Sequence, residues 1–104
     1  MTYTAVRDIV TSVEIQEGSV VSKVIHRDKG LNVTVFGFDT GQELTEHQAP
    51  RAAVVQVISG RLRFAVGGAE LDGGPGFWLH MAPNTLHSLV ATEPTVMLLT
   101  LVGP

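Results

Sequence analysis

Four histidines carry most of the chemistry on offer in this chain: His26, His47, His80 and His87. Neutral imidazole presents one ring-nitrogen lone pair to a metal or a proton, and its ordinary pKa lies near neutrality. No cysteine is present, so thiolate chemistry and disulfide frameworks are excluded. His47 opens the stretch HQAPRAAVVQVISG, residues 47–60, in which polar residues and a proline give way to an apolar run. His87 follows the turn-like MAPNTL of residues 81–86. Strand period two puts His80 on the face of Trp78, opposite Phe77, Leu79 and Met81. Glu43 and Glu46 are the carboxylates nearest His47, but Glu46 adjoins it and should point the other way. His26 precedes the turn RDKG and reads as a surface residue.

Other reaction machinery is missing. There is no glycine loop to cradle a phosphate and no G-x-S-x-G nucleophile turn. Ser59 precedes Gly60, a pairing that suits a hairpin turn. Formal net charge is −3 with scattered cations, so the clustered lysines and arginines that neutralise nucleic-acid phosphates are absent.

Strands must position these histidines. The 104 residues are 44% hydrophobic and 16% charged, which suits one small domain with a real core. Turns are expected at 27–30, 39–41, 67–68 and 72–76. Runs rich in Val, Ile, Leu, Thr and Phe predict strands over 20–26, 31–38, 42–48, 52–59, 61–66, 76–82, 86–91 and 95–102. A short helical turn is expected within 5–12. In RLRFAV, Leu62, Phe64 and Val66 share one face and Arg61 and Arg63 take the other. AAVVQVI and TVMLLTLV are apolar on both faces and need cover on both sides. Eight short strands with almost no helix predict an all-β sandwich or barrel. No run of eighteen apolar residues exists, so no membrane helix is expected. The opening MTYTAVRDIV lacks a signal-peptide pattern, and a cytoplasmic location is expected.

Two frames join these observations. Gly41, His47, Gln48, Ala49, Ala53 and Gly60 have the spacing of G-x5-H-x-H-x3-E-x6-G, and Gly76, Ala82, Asn84, His87 and Ala91 that of G-x5-P-x-G-x2-H-x3-N. On these two motifs, at about 41–60 and 76–91, the chain resembles the cupin family, with the resemblance spanning about 31–102. It implies a single cupin domain over 1–104, folded as a double-stranded β-helix, a jelly-roll-like barrel. Cupins hold a divalent metal on three histidines and one glutamate. His47 matches the first histidine and His87 the last. Ala49 stands in place of the second histidine and Ala53 in place of the glutamate. A methyl group has no lone pair to give, so two of four ligands are lost.

The resemblance therefore implies a small-molecule-binding cupin with a weak or vestigial metal site at His47 and His87. The cofactor would be one divalent transition metal (Fe, Mn, Ni, Cu or Zn) or none. A metal-dependent enzyme, dioxygenase- or isomerase-like, would need a further ligand, and His80 is the candidate if its face turns inward. A non-catalytic ligand sensor acting through a protein partner is a third reading. Expected pocket residues are His47, His87, Val55, Val57, Phe64, Trp78 and His80. Trp78, Phe36, Phe38, Phe64 and Met97 are candidates for the core. If Ala53, Val55 and Val57 point in, Val54, Gln56 and Ile58 form an apolar outer stripe, and a homodimer through it is expected. No nucleic-acid or membrane partner is expected.

Overall fold

Turn residues break the apolar runs, and the segments between them are rich in β-branched residues, which favour strand over helix. The structure, a computed structural model, describes residues 2–103. Seven strands follow in chain order: β1 (Val20–Arg27), β2 (Leu31–Phe38), β3 (Glu43–His47), β4 (Ala52–Val66), β5 (Ala69–Gly73), β6 (Trp78–Met81) and β7 (His87–Val102). A 3-10 turn at Val10–Ser12 falls within the segment expected to turn helically.

Two expected strand pairs fuse. Residues 52–59 and 61–66 form the single strand β4, and 86–91 with 95–102 form most of β7. Gly60 explains the continuity. Its φ is +85°, a conformation that lets the strand bend sharply without stopping. A Cβ there would run into the carbonyl oxygen of Pro94 and into Thr95. Thr95, fully buried, locks the matching bend in β7: its Oγ1 accepts from the Arg61 N–H at 2.9 Å and donates to the Glu93 carbonyl at 2.8 Å. β5 was not expected, because AELDG is poor in strand formers. It forms by pairing with the end of β4, from Leu62 opposite Gly73 to Val66 opposite Ala69.

All pairings among the described residues are antiparallel. β4 and β7 pair along nearly their whole length. One half of each joins β1, β2 and β6 in a first sheet, in the order β1–β2–β7–β4–β6. The other half joins β3 and β5 in a second, ordered β3–β7–β4–β5. The result is the all-β, jelly-roll-like barrel that the strand pattern and the motifs imply.

The interior is graded. Ala53, Val55 and Val57 on β4 alternate with half-buried neighbours, and all three are buried. Phe38, Val57, Leu62 and Met97, near the Gly60 bend, are within 1% of complete burial and close that end. Each such side chain contributes roughly 1.5–3 kcal/mol of hydrophobic stabilisation. Along the same inward faces, toward the other end, Leu79, Leu99 and Leu101 are only half-buried. The barrel is thus a cup. Its open end carries the turns at 28–30 and 67–68 and the loops 48–51 and 82–86.

The outer face of the first sheet is partly covered. Val13 and Ile15, from the N-terminal segment, lie over Gly37, where a Cβ would meet Ile15 Cγ1 at 3.1 Å. Val54, Gln56 and Ile58 face outward and are half-buried. No helix among the described residues is long and apolar enough to cross a membrane.

Candidate functional site

β3 brings His47 to the rim of the cup. Leu44 pairs with Leu89, yet His47 rather than Glu46 pairs with His87. Three steps on β3 match two on β7, so a bulge is present. It turns both Leu44 and His47 inward and sends Thr45 and Glu46 toward an outer groove of about 420 Å³, which Glu43, Arg63 and Glu70 also line. Glu43 and Glu46 thus stand on the side away from the interior.

The two imidazoles meet. Their ring centroids are 4.1 Å apart and their planes inclined by 60°. His87 is 9% exposed, whereas His47 is open to solvent at the rim. Each ring is fixed by the same local device. His47 Nδ1 lies 2.7 Å from the Thr45 carbonyl and His87 Nδ1 lies 2.8 Å from the Thr85 carbonyl. A carbonyl only accepts, so each Nδ1 carries the proton and donates. In the neutral rings, both Nε2 atoms then keep their lone pairs.

The loops bearing the histidines are tied together. Asn84 N–H donates to the Ala49 carbonyl at 2.7 Å, linking loop 82–86 to loop 48–51. Asn84 has φ +64°, a left-handed conformation that asparagine tolerates better than most residues. This accounts for an asparagine where the second motif has glycine. Thr85 Oγ1 donates to the Ala82 carbonyl at 2.7 Å and closes the turn ahead of His87.

The remaining expected pocket residues divide. Val55, Val57 and Phe64 face the interior and are buried, and Phe64 stacks on Phe77 with centroids 5.4 Å apart. The structure corrects the expectation for Trp78 and His80. Met81 is buried opposite Ala53 on β4, and Leu79 sits opposite Val55. That register fixes the odd positions of β6 inside and leaves Trp78, opposite Gln56, and His80, opposite Val54, on the outer face. Trp78 is 59% exposed and belongs to neither core nor pocket, and His80 is exposed on the side away from His47 and His87.

The chemistry of the donor set decides the fit to a resident metal. Ala53 is 3% exposed and presents a methyl group to the interior where a glutamate would be needed. Ala49 offers another methyl. Among the described residues no three His, Cys, Asp or Glu side chains come together as ligands. Catalytic zinc sites keep three protein ligands, and the facial iron triad needs two histidines with a carboxylate. Two imidazoles do not make up either set.

Two further residues enter from β2. Asn32 opposes Leu101 and Thr34 opposes Leu99, which places them on the inward face shared with Phe36 and Phe38. Both are half-buried at the open end. Their signal lay in the even positions of LNVTVFGF, which run from polar to aromatic along one face. His26 lies apart from this site. Its Nε2 is 2.6 Å from Asp28, and its Nδ1 is 3.1 Å from the Thr4 hydroxyl.

Comparison with known proteins supports the fold strongly. No protein-family model matches the chain, and neither does any curated protein sequence. Solved structures do. A conserved protein of unknown function from Streptococcus pyogenes is similar over 100% of this chain and 91% of its own, with 29% identity and a TM-score of 0.88. A cupin 2 conserved barrel domain protein from Leptotrichia buccalis shares 35% identity at a TM-score of 0.85, covering 89% of this chain and 45% of its own. A cupin superfamily protein from Desulfitobacterium hafniense has a TM-score of 0.88 at 16% identity, over 92% of this chain and 88% of its own.

Proposed function

Taking the chain as a small domain of the cupin superfamily, we propose that it binds a small molecule in the open end of its barrel, with His47 and His87 as the polar handles. The observation that carries this reading is the convergence of two imidazoles whose Nδ1 atoms are both committed to backbone carbonyls. Their Nε2 atoms are the groups left for a ligand. Neutral, they accept hydrogen bonds from a hydroxyl or amide; protonated, they donate. Behind them lies an apolar wall of half-buried Leu79, Leu99 and Leu101. An apolar pocket with a few convergent polar groups is the usual make-up of a small-molecule site.

The metal site in this reading is weak or vestigial. One observation favours a metal-dependent alternative, dioxygenase- or isomerase-like: a ligating histidine ordinarily donates its other ring N–H to a carbonyl or carboxylate, as both rings do here. Such an enzyme would draw its remaining ligands from substrate and water. When bound, a divalent ion would polarise an oxygen of the substrate.

The partner proposed for the outer stripe is a second copy of the chain, seated on Val54, Gln56 and Ile58. Light scattering that returns a monomer across the micromolar range would remove that partner.

The experiment for the site itself is a fragment screen by NMR, reading the imidazole resonances. Binders should move the signals of His47 and His87 together, and His87→Gln should remove the response. Binders that move neither imidazole would overturn the reading. Binders recovered chemically unchanged after long incubation would point to a binding module, whereas metal-dependent turnover would favour the enzyme.

A further inference from the structure

Arg51 stands in the loop between His47 and the start of β4. Its Nε is buried and has no hydrogen-bond partner among the described residues. Arginine stays charged at any ordinary pH, so a buried guanidinium N–H left unpaired demands an explanation. The ion pairs formed among the described residues are His26 with Asp28 and Arg61 with Asp72, and Arg51 takes part in neither.

Position supplies the explanation. Arg51 lies two residues before Ala53, at the bend that leads into β4, whose Ala53, Val55 and Val57 face the interior. Its loop is held against loop 82–86 by the bond from Asn84 to the Ala49 carbonyl. The same tie secures the turn that delivers His87. Among the described residues, Ala53 presents a methyl to the cup, and the carboxylates of Glu43, Glu46 and Glu70 line the outer groove.

We infer that Arg51 is the anion-binding residue of the cup and that its ligand is a small carboxylate bearing a hydroxyl group. This rests on the ligand-binding reading of the His47–His87 site and names its substrate class. The planar guanidinium fork matches a carboxylate in two parallel hydrogen bonds. The two Nε2 lone pairs call for a donor on the same ligand, which a neighbouring hydroxyl supplies. Asn32 and Thr34 offer further polar contacts on the facing strand.

The test uses glycolate as probe, with methyl glycolate as its uncharged counterpart, in calorimetric and NMR titrations of the intact chain. Glycolate should bind at least tenfold more tightly than the ester and move the imidazole signals of both His47 and His87. Arg51→Gln should weaken glycolate binding at least tenfold and leave the ester unaffected. Arg51→Lys keeps the charge and the apolar stem but loses the fork, and should fall between. It also serves as the reporter if the glutamine variant does not fold. Equal affinity for glycolate and ester, or glycolate binding untouched by either substitution, overturns the inference. If the ester moves both imidazole signals while the charge adds nothing, the pocket stands and its anion preference falls. If neither probe moves either signal, both fall together.

Discussion

Leu44 and His47 face the same way, although three residues of strand separate them. In a regular strand Leu44 and Glu46 would share the interior and His47 would point out. The extra residue of the β3 bulge reverses this, pairing His47 with His87 and turning the Glu46 carboxylate toward the outer groove. The site is therefore built from a backbone irregularity as much as from side chains. A bulge commonly re-aims a side chain in this way.

Restoring the two missing ligands should restore a metal site. The double variant Ala49→His, Ala53→Glu is expected to bind Ni(II) or Zn(II) at least 100-fold more tightly than the parent. Without metal it should melt lower, because Ala53 is 3% exposed and a carboxylate there would be buried unpaired. At a metal concentration 100 times the dissociation constant, binding should return about 2.7 kcal/mol of stability. Calorimetric titration and melting curves with and without metal check both halves. Equal affinity in parent and variant would show that His47 and His87 do not point at the ligand seats.

Gly60→Ala should destabilise the fold severely, by roughly 1–3 kcal/mol from the left-handed φ alone, with the steric cost on top. The added methyl would meet the Pro94 carbonyl, which is backbone and cannot swing aside. Gly67→Ala shares the positive φ but meets nothing within 4 Å, so it should cost less. Urea unfolding of the two variants separates conformational strain from collision.

The Asp28 carboxyl should titrate below its ordinary value of 3.8. The first cause is the hydrogen bond from His26, followed by that from the Gly30 N–H. His26→Ala should raise it back toward 3.8, as carboxyl-carbon NMR would show. For a carboxyl whose folded pKa is depressed, the stabilisation is present above the unfolded value and lost as pH falls through the folded one. Removing His26 should therefore lower this carboxyl's contribution at neutral pH, where it is otherwise fully present, and leave it unchanged in strong acid, where the carboxyl is protonated folded and unfolded alike.

Much of the barrel is readable in the residues. The run AAVVQVI is apolar on both faces, so its inner set is read from the burial of Ala53, Val55 and Val57 rather than from alternation, whereas the spacing of the two motifs sets His47 and His87 in one site. β5 was not readable, because Ala69–Gly73 becomes a strand through pairing with β4 rather than through its own composition. Period two paired His80 with Trp78 correctly but left open which face of β6 was inside; the burial of Met81 opposite Ala53 settles that. Arg51 went unnoticed because a lone arginine after a proline carries no spacing signal. Its meaning comes from a buried N–H with no partner among the described residues.

β4 and β7 each belong to both sheets, crossing from one to the other at Gly60 and Thr95. Neither wall can peel away while the other stays intact, so the domain should melt as one cooperative unit. A guest lodged at the rim then braces the far floor as firmly as the near lip. Tightness of occupancy and resistance to heat become two readings of a single property.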